Sequence, residues 1–241
     1  MGYKDLFDDN LDKTGQHYMV DSELVKFIVK SALLNEKDVV LEIGYGTGVL
    51  TRVLAKKCKV IGIDIEGKSD EIKNSTFVDG NILDKYWELK EKYKFNKIVS
   101  NIPYNISEPL MKEIFKDDLD LVVLTVGSKF AKIISSTDNR IGIMASDIFD
   151  VQVLKSVNPS SFNPRPKVDS SVVRLVPKRP EDSVYKKLVR YDDLKLRNAF
   201  IKIFTDKTKN QIKEFTQSKI FDKKLYELSN KEFVELDKMN F

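Results

Sequence analysis

The sequence is poor in features that would define several other classes of protein. It has one cysteine, Cys58, so no intramolecular disulfide can form and a cysteine-based zinc site is not expected. No apolar run approaches the roughly 20 residues that a membrane-spanning helix needs. The first ten residues are acidic and lack the apolar segment of a signal peptide. These absences predict a soluble, cytoplasmic protein with no membrane contact and no metal.

Net charge is also small, at +4 over 241 residues, but it is unevenly distributed. Residues 1–178 are balanced, with 26 basic and 26 acidic side chains, whereas residues 179–241 hold 15 basic and 11 acidic ones. A local basic excess favours binding to a polyanion such as nucleic acid. The alternative interpretation is a lysine-rich, solvated helix surface.

Short apolar segments rich in β-branched residues alternate with segments of helical periodicity. The predicted strands are 39–43, 59–64, 75–78, 97–101 and 121–126, and the predicted helices are 21–34, 47–57, 84–93, 107–116 and 128–136. Such alternation predicts a largely parallel sheet with helices on both faces. Two further predicted strands, 147–157 and 170–177, have no helix between them and are expected to form an antiparallel hairpin. The expected fold is a Rossmann-like, seven-stranded α/β sheet.

The C-terminal quarter differs in character from the rest. After Pro177 the sequence becomes lysine-rich, and segment 188–204 carries apolar residues at helical spacing. Prolines at positions 177 and 180 are typical of a domain junction. We therefore predict an α/β domain over residues 1–178 and a small, basic helical domain over residues 179–241.

A glycine-rich loop, Gly44 to Gly48, follows the first predicted strand directly. Glycines at this place let a ligand lie against the backbone. Val49 stands where a dinucleotide-binding fingerprint requires glycine, and the pattern instead resembles the loop of S-adenosylmethionine methyltransferases. Asp64 ends the second strand, where a carboxylate can accept both ribose hydroxyls of a nucleoside; the alternative is a helix N-cap. Asn81, after the third strand, can accept a hydrogen bond from an adenine amine.

The fourth predicted strand ends in Asn101-Ile102-Pro103-Tyr104. An exocyclic adenine amine is a poor nucleophile because its lone pair is conjugated with the ring. The side-chain oxygen of Asn101 and the carbonyl of Ile102 can accept hydrogen bonds from that amine, and Pro103 would fix the carbonyl. Tyr104 offers a face on which a flipped base can stack. The alternative is an ordinary turn after a strand.

Four motifs in order resemble the ribosomal RNA adenine N6,N6-dimethyltransferases. They are Thr14–Met19, Glu42–Gly48, Asn101–Ser107 and Phe162–Ser170. The resemblance implies a class I methyltransferase sheet, S-adenosylmethionine as cofactor and a monomer. It also implies dimethylation of two adjacent adenines in small-subunit ribosomal RNA during ribosome assembly. The histidine at position 17 is similar to the residue that archaeal and eukaryotic members of the family carry there.

The resemblance also assigns roles to site residues. It implies a cofactor site formed by His17, Met19, Gly44, Gly46, Asp64, Asn81 and Asn101. Phe162 would stack on the target adenine opposite Tyr104, so that Asn101, Pro103, Tyr104 and Phe162 form the catalytic set. From the residues alone, His17 would be a surface or capping residue and Phe162 a core residue.

Three other functions stay open at this point. The erythromycin-resistance methyltransferases carry a similar Asn-Ile-Pro-Tyr motif but act on large-subunit RNA. A protein-glutamine methyltransferase would favour Asn-Pro-Pro-Tyr, so Ile102 argues against it. A non-catalytic, RNA-binding assembly factor is suggested by the short segment 66–77 and the unusual segment 125–129. Cofactor binding separates that factor from the enzymes.

Overall fold

The computed structural model describes residues 17–66, 71–178 and 183–239. Seven strands form its main sheet: β2 (Val39–Ile43), β3 (Lys59–Asp64), β4 (Ser75–Asp79), β5 (Lys97–Asn101), β6 (Leu121–Gly127), β7 (Phe149–Val157) and β9 (Ser170–Pro177). Their order across the sheet is β4-β3-β2-β5-β6-β9-β7. The predicted seven-stranded α/β fold is confirmed.

The first five of these strands pair in parallel, and β9 pairs antiparallel with β6. Strands β2, β3, β5 and β6 are almost wholly buried, as expected for parallel strands that read as continuous apolar runs. Because paired residues of parallel strands lie side by side, Asn101 at the end of β5 is the neighbour of Thr125 on β6.

The five predicted helices are present: α1 (Ser22–Ser31), α2 (Val49–Leu54), α3 (Ile82–Tyr93), α4 (Ser107–Lys116) and α5 (Ser128–Ile134). The bounds of α4 are those predicted, α3 begins two residues earlier than predicted, and the other three helices are shorter than predicted. A further helix, α6 (Arg140–Ile148), was not predicted, and it occupies the first two residues of the strand expected over 147–157. Gly142 inside α6 argues against a helix by propensity. It is required there because a Cβ would lie 1.6 Å from the carbonyl oxygen of Ser136.

A second, two-stranded sheet joins β1 (Tyr18–Met19) to β8 (Phe162–Asn163) in antiparallel register. The peptide bond between Asn163 and Pro164 is cis. This pairing was not predicted, because two-residue strands separated by more than 140 positions leave no periodicity in the sequence. It brings the first and last of the four motifs into contact.

The chain divides into two compact units. The first comprises the described residues up to Ile114, with Asp118–Ala131 and Gln152–Val176. The second comprises Phe115–Asp117, Lys132–Val151 and the described residues from Pro177 onward. The predicted domains, 1–178 and 179–241, stay a prediction; the second unit differs from that tail by its two earlier segments.

The second unit has its own aromatic core. Phe200 packs edge-on against Phe221 with ring centroids 5.3 Å apart, and Tyr185 stacks on Phe233 at 5.1 Å. Its remaining helices are α7 (Val184–Leu188), α8 (Leu196–Ile203), α9 (Lys209–Phe215) and α10 (Asn230–Asp237). The helix expected over 188–204 is therefore broken into separate segments. No helix in the described ranges is long and apolar enough to cross a membrane.

Candidate active site

A cavity of about 700 Å³ lies at the carboxyl ends of β2, β3, β4 and β5 in the first unit. Strands β2 and β5 are adjacent although β3 and β4 intervene in sequence, and ligands of open α/β sheets bind at such a position. Eight of the ten predicted site residues line the cavity: His17, Gly44, Gly46, Asp64, Asn81, Asn101, Pro103 and Tyr104. The sheet thus assembles most of the predicted site.

The glycine loop needs its glycines for conformation and for close approach. Gly44 and Gly46 have φ angles of +72° and +50°, in the left-handed region that other residues rarely adopt. A Cβ on Gly46 would lie 2.6 Å from Cε1 of Tyr18, so the tyrosine ring rests directly on the loop backbone. Tyr18 is a cavity residue that was not predicted to be one.

Asp64 fixes the loop and faces the cavity. Its Oδ2 accepts a hydrogen bond from the backbone N–H of Gly46 at 2.9 Å, and its Oδ1 accepts one from Glu66 at 3.1 Å. Residues 65 and 66 are not helical, so Asp64 does not cap a helix that begins at residue 65. Each carboxylate oxygen has a further lone pair, which leaves acceptors for ligand hydroxyls.

Asn81 has a structural task as well as a place in the cavity lining. Its Oδ1 caps α3 by accepting a hydrogen bond from the N–H of Leu83 at 3.1 Å. A carbonyl oxygen has two lone pairs, so the capping bond leaves one for a ligand amine. The cap fixes the side chain at the carboxyl end of β4.

Glu42, the last residue but one of β2, is buried two positions before the glycine loop. Burial raises the pKa of its carboxyl group to about 8, and the nearby Asp64 carboxylate adds to the rise. The hydroxyl of Thr51 on α2 donates a hydrogen bond to Glu42 Oε2 at 2.6 Å, and this bond opposes the rise in pKa. The acid therefore links the strand before the loop to the helix after it.

The side chain of Asn101 has one satisfied end and one unsatisfied end. Its Nδ2 donates to the carbonyl oxygen of His17 at 3.1 Å. Its Oδ1 is buried, and no group among the described residues donates to it. Such an acceptor costs roughly 1–3 kcal/mol. Because the His17 carbonyl can only accept, it fixes which end of the carboxamide is turned away from it.

Tyr104 lies next to this group and is partly exposed to the cavity. Its hydroxyl is 2.5 Å from Oγ of Ser170 on β9. Burial raises the pKa of its phenol, and the hydrogen bond with Ser170 opposes the rise. The imidazole of His17 lies 6.1 Å from the Tyr104 ring, and its Nδ1 bonds the carbonyl of Pro164 at 2.8 Å. Since that carbonyl only accepts, Nδ1 is the donor of this hydrogen bond.

The family model for "Ribosomal RNA adenine dimethylase" matches residues 8–238 of this chain. The chain belongs to the ribosomal RNA adenine dimethylase family. The family predicted from its motifs is thereby confirmed, and with it the class of enzyme, a methyltransferase that modifies ribosomal RNA.

Among curated relatives, a probable ribosomal RNA small subunit methyltransferase A of Methanopyrus kandleri is 35% identical over 209 residues, 78% of this chain and 75% of the relative. A protein of the same description from Methanococcus aeolicus is 31% identical over 252 aligned positions, 91% of this chain and 92% of the relative. The relatives are mostly archaeal, as position 17 indicated.

Two solved structures resemble this chain along most of its length. A dimethyladenosine transferase from Plasmodium falciparum has a TM-score of 0.63 and 25% identity, covering 91% of this chain and 96% of that one. The 23S rRNA methyltransferase ErmE has a TM-score of 0.55 and 17% identity, covering 90% and 98%. The second likeness concerns the fold alone.

Two of the predicted site residues do not line the cavity. Met19 and Phe162 are directly opposite in the β1–β8 pair, and both are buried in the hydrophobic core, Phe162 with 1% of its surface exposed. A ring so enclosed offers no face to a base, so the stacking role predicted for Phe162 is not supported. Core packing, the alternative from its residue type, is what the structure has.

Parts of two segments singled out in the sequence lie outside the described residues. Thr14, Gly15 and Gln16 of the first motif are among them, and so are residues 67–70 of the short segment after β3. Within the described ranges, no group of three or more His, Cys, Asp or Glu side chains could hold a metal ion.

Proposed function

We propose that this chain transfers methyl groups from S-adenosylmethionine to the N6 amine of two adjacent adenines in small-subunit ribosomal RNA during ribosome assembly. The observation that carries the proposal is the buried Asn101 Oδ1, an acceptor to which no group among the described residues donates, on a residue that lines the cavity. In native proteins a buried unsatisfied group is explained by a catalytic role, an ordered water or a bound ligand, and a catalytic role with a ligand fits the position of Asn101. The archaeal relatives, which are probable ribosomal RNA small subunit methyltransferases A, support the small subunit as the source of the RNA.

The cavity suits S-adenosylmethionine by its volume and its polar groups. The Gly44–Gly48 backbone would hold the amino-acid part, and Asp64 would accept the ribose hydroxyls. Ile65, which is 64% exposed at the end of β3, would lie against the adenine, with Asn81 accepting from its amine. The bound cofactor supplies an electrophilic methyl group on a sulfonium.

The chain's own residues would prepare the amine for attack. Asn101 Oδ1 and the Ile102 carbonyl accept its two N–H groups, which draws the nitrogen out of conjugation and turns its lone pair toward the methyl group. Pro103, with φ of −57°, restricts Ile102 and so fixes that carbonyl. The new N–C bond forms as the S–C bond breaks, and the ammonium product releases its proton to water. Positioning supplies most of the acceleration.

Tyr104 would stack on the target base, since its ring lines the cavity three residues beyond Asn101. The basic region 179–241 would dock the RNA through its phosphates, as a lysine-rich surface does. We expect the protein to act as a monomer in the cytoplasm, without a metal.

The test uses tritiated S-adenosylmethionine with under-methylated small ribosomal subunits and, in parallel, with large subunits. We expect label in N6,N6-dimethyladenosine from small subunits and its loss in Asn101→Ala. Label from large subunits instead would assign a resistance-type activity. Tight subunit binding without label or cofactor affinity would mean an assembly factor and contradict the proposal.

A further inference from the structure

The hydroxyl of Tyr104 meets a partner whose own position is rigid. Ser170 is fully buried on β9, paired through its backbone with Gly127 on β6. The preceding residue, Asp169, accepts a backbone hydrogen bond from Ser128 at 2.9 Å, so β9 is held to β6 up to its first residue. The 2.5 Å contact between Tyr104 and Ser170 therefore ties the phenol to the sheet.

The other parts of the Tyr104 residue are held as well. A Cβ on Gly127 would lie 3.6 Å from Cγ of the tyrosine, so the base of the aromatic ring packs against the backbone of β6 at this glycine. The hydroxyl of Ser107 donates to the Tyr104 carbonyl at 2.9 Å, which fixes the backbone of the turn. The backbone of Tyr104, the Cγ end of its ring and its hydroxyl are therefore all held, and the ring has little freedom to rotate about χ1 or χ2.

We propose that Ser170 is a positioning residue of the methyltransferase site, which holds the Tyr104 ring at the angle that presents the target amine to Asn101. This inference rests on the proposed function. The amine must reach an acceptor only three residues before the stacking ring, so a small tilt of the ring displaces the amine from Asn101 Oδ1. A displacement of about 1 Å can cost roughly 100-fold in rate.

The family resemblance gave no role to this serine. It is the last residue of the Phe162–Ser170 motif, and the motif's aromatic residue is buried in the core. The structure assigns the motif a different link to the site: its final residue supports the ring that the base would contact. Ser170 itself does not line the cavity.

The test compares Ser170→Ala, Tyr104→Phe and the double variant by single-turnover kinetics on under-methylated small subunits. Each single variant removes the same hydrogen bond and keeps the stacking ring, so we expect each to lower the methylation rate about tenfold. The double variant should lose no more than either single one, as coupled residues do. Cofactor affinity should stay at the wild-type value in all three.

Ser171→Ala is the matched control. This neighbour is also buried on β9, and its hydroxyl bonds Ser128 at 3.0 Å instead of Tyr104. We expect it to methylate at the wild-type rate, with a thermal midpoint similar to that of Ser170→Ala. If Ser170→Ala does not fold, Tyr104→Phe carries the same test.

The outcomes separate this inference from the function on which it rests. Wild-type rates in Ser170→Ala and Tyr104→Phe, additive losses in the double variant, or an equal loss in Ser171→Ala would each overturn the positioning role while adenine methylation stands. A wild-type chain that methylates no adenine would overturn both.

Discussion

At the amino ends of β2 and β5, the side chains of a buried polar cluster are paired with one another. Lys97 donates to Asp38 at 2.9 Å and to the carbonyl of Leu33 at 2.8 Å, and Asn96 donates to the second oxygen of Asp38 at 2.9 Å. Although burial opposes it, the hydrogen bonds from Lys97 and Asn96 hold the pKa of the Asp38 carboxyl below its ordinary value. At the carboxyl ends of the same sheet, Asn101 Oδ1 and Thr125 Oγ1 are buried without a donor or acceptor among the described residues.

We interpret this difference in hydrogen bonding as a difference in role between the two ends of the sheet. Satisfied polar groups specify a fold, whereas unsatisfied ones reduce its stability and persist where a ligand completes them. We therefore expect substitutions at the amino end, at Asp38 and Lys97, to affect mainly stability. Substitutions at the carboxyl end, at Asn101, should affect mainly activity. Single substitutions at the two ends test this division.

Lys97→Met should destabilise the protein most. The Lys97–Asp38 pair is 8% and 4% exposed, so removing the lysine leaves a buried carboxylate unpaired, at a cost of about 3–5 kcal/mol. Urea unfolding measures the loss, with the exposed Lys56→Met as control. Adding Asp38→Asn should recover much of it. A variant as stable as the control would show that the pair does not support the fold.

Asn101→Ala should show the opposite pattern. We expect the methylation rate to fall roughly 10²–10³-fold, as on removal of one preorganised transition-state contact. The free energy of unfolding should fall by only about 1 kcal/mol, since one hydrogen bond to His17 is lost while an unsatisfied acceptor disappears. Parallel kinetics and urea titrations check both. A stability loss as large as that of Lys97→Met would erase the contrast between the two ends.

The sheet and most of the site could be predicted from the sequence because their signals are local. Buried parallel strands read as apolar runs, and glycine, Asp64 and Asn101 each follow such a run at the sheet's carboxyl edge. The β1–β8 pair could not be predicted, since it depends on a contact between positions far apart. Side-chain direction in that pair turns Met19 and Phe162 to the core, and the tie between Ser170 and Tyr104 depends on the same distant contacts. Helix α6 was not predicted, because glycine has a low helix propensity. Gly142 is present in the helix because a Cβ there would collide with the carbonyl oxygen of Ser136.

Glu42→Gln should change how stability depends on pH. With a folded-state pKa of about 8 against an ordinary value of 4.5, folded Glu42 keeps a proton that the unfolded chain releases. This contribution is fully present below about pH 4.5 and is lost as pH rises through about 8, with a slope of up to about 1.4 kcal/mol per pH unit. Unfolding between pH 5 and 8 should therefore show a gain of Glu42→Gln over the wild type as pH rises. The exposed Glu88→Gln should show none.

Thr125→Val should have the smallest effect, and its sign is informative. Thr125 is fully buried beside Asn101, and its hydroxyl has no partner among the described residues. Valine has nearly the same shape, so the change removes an uncompensated polar atom without opening a cavity, and stability should stay constant or rise by about 1 kcal/mol. Ser100→Ala on β5 is the contrasting control, because its hydroxyl donates to the Ile43 carbonyl and its loss should destabilise the protein. Urea unfolding of the two variants makes the comparison. A clear loss of stability in Thr125→Val would mean that its hydroxyl is satisfied in solution, and the unpaired character of this end of the sheet would then rest on Asn101 alone.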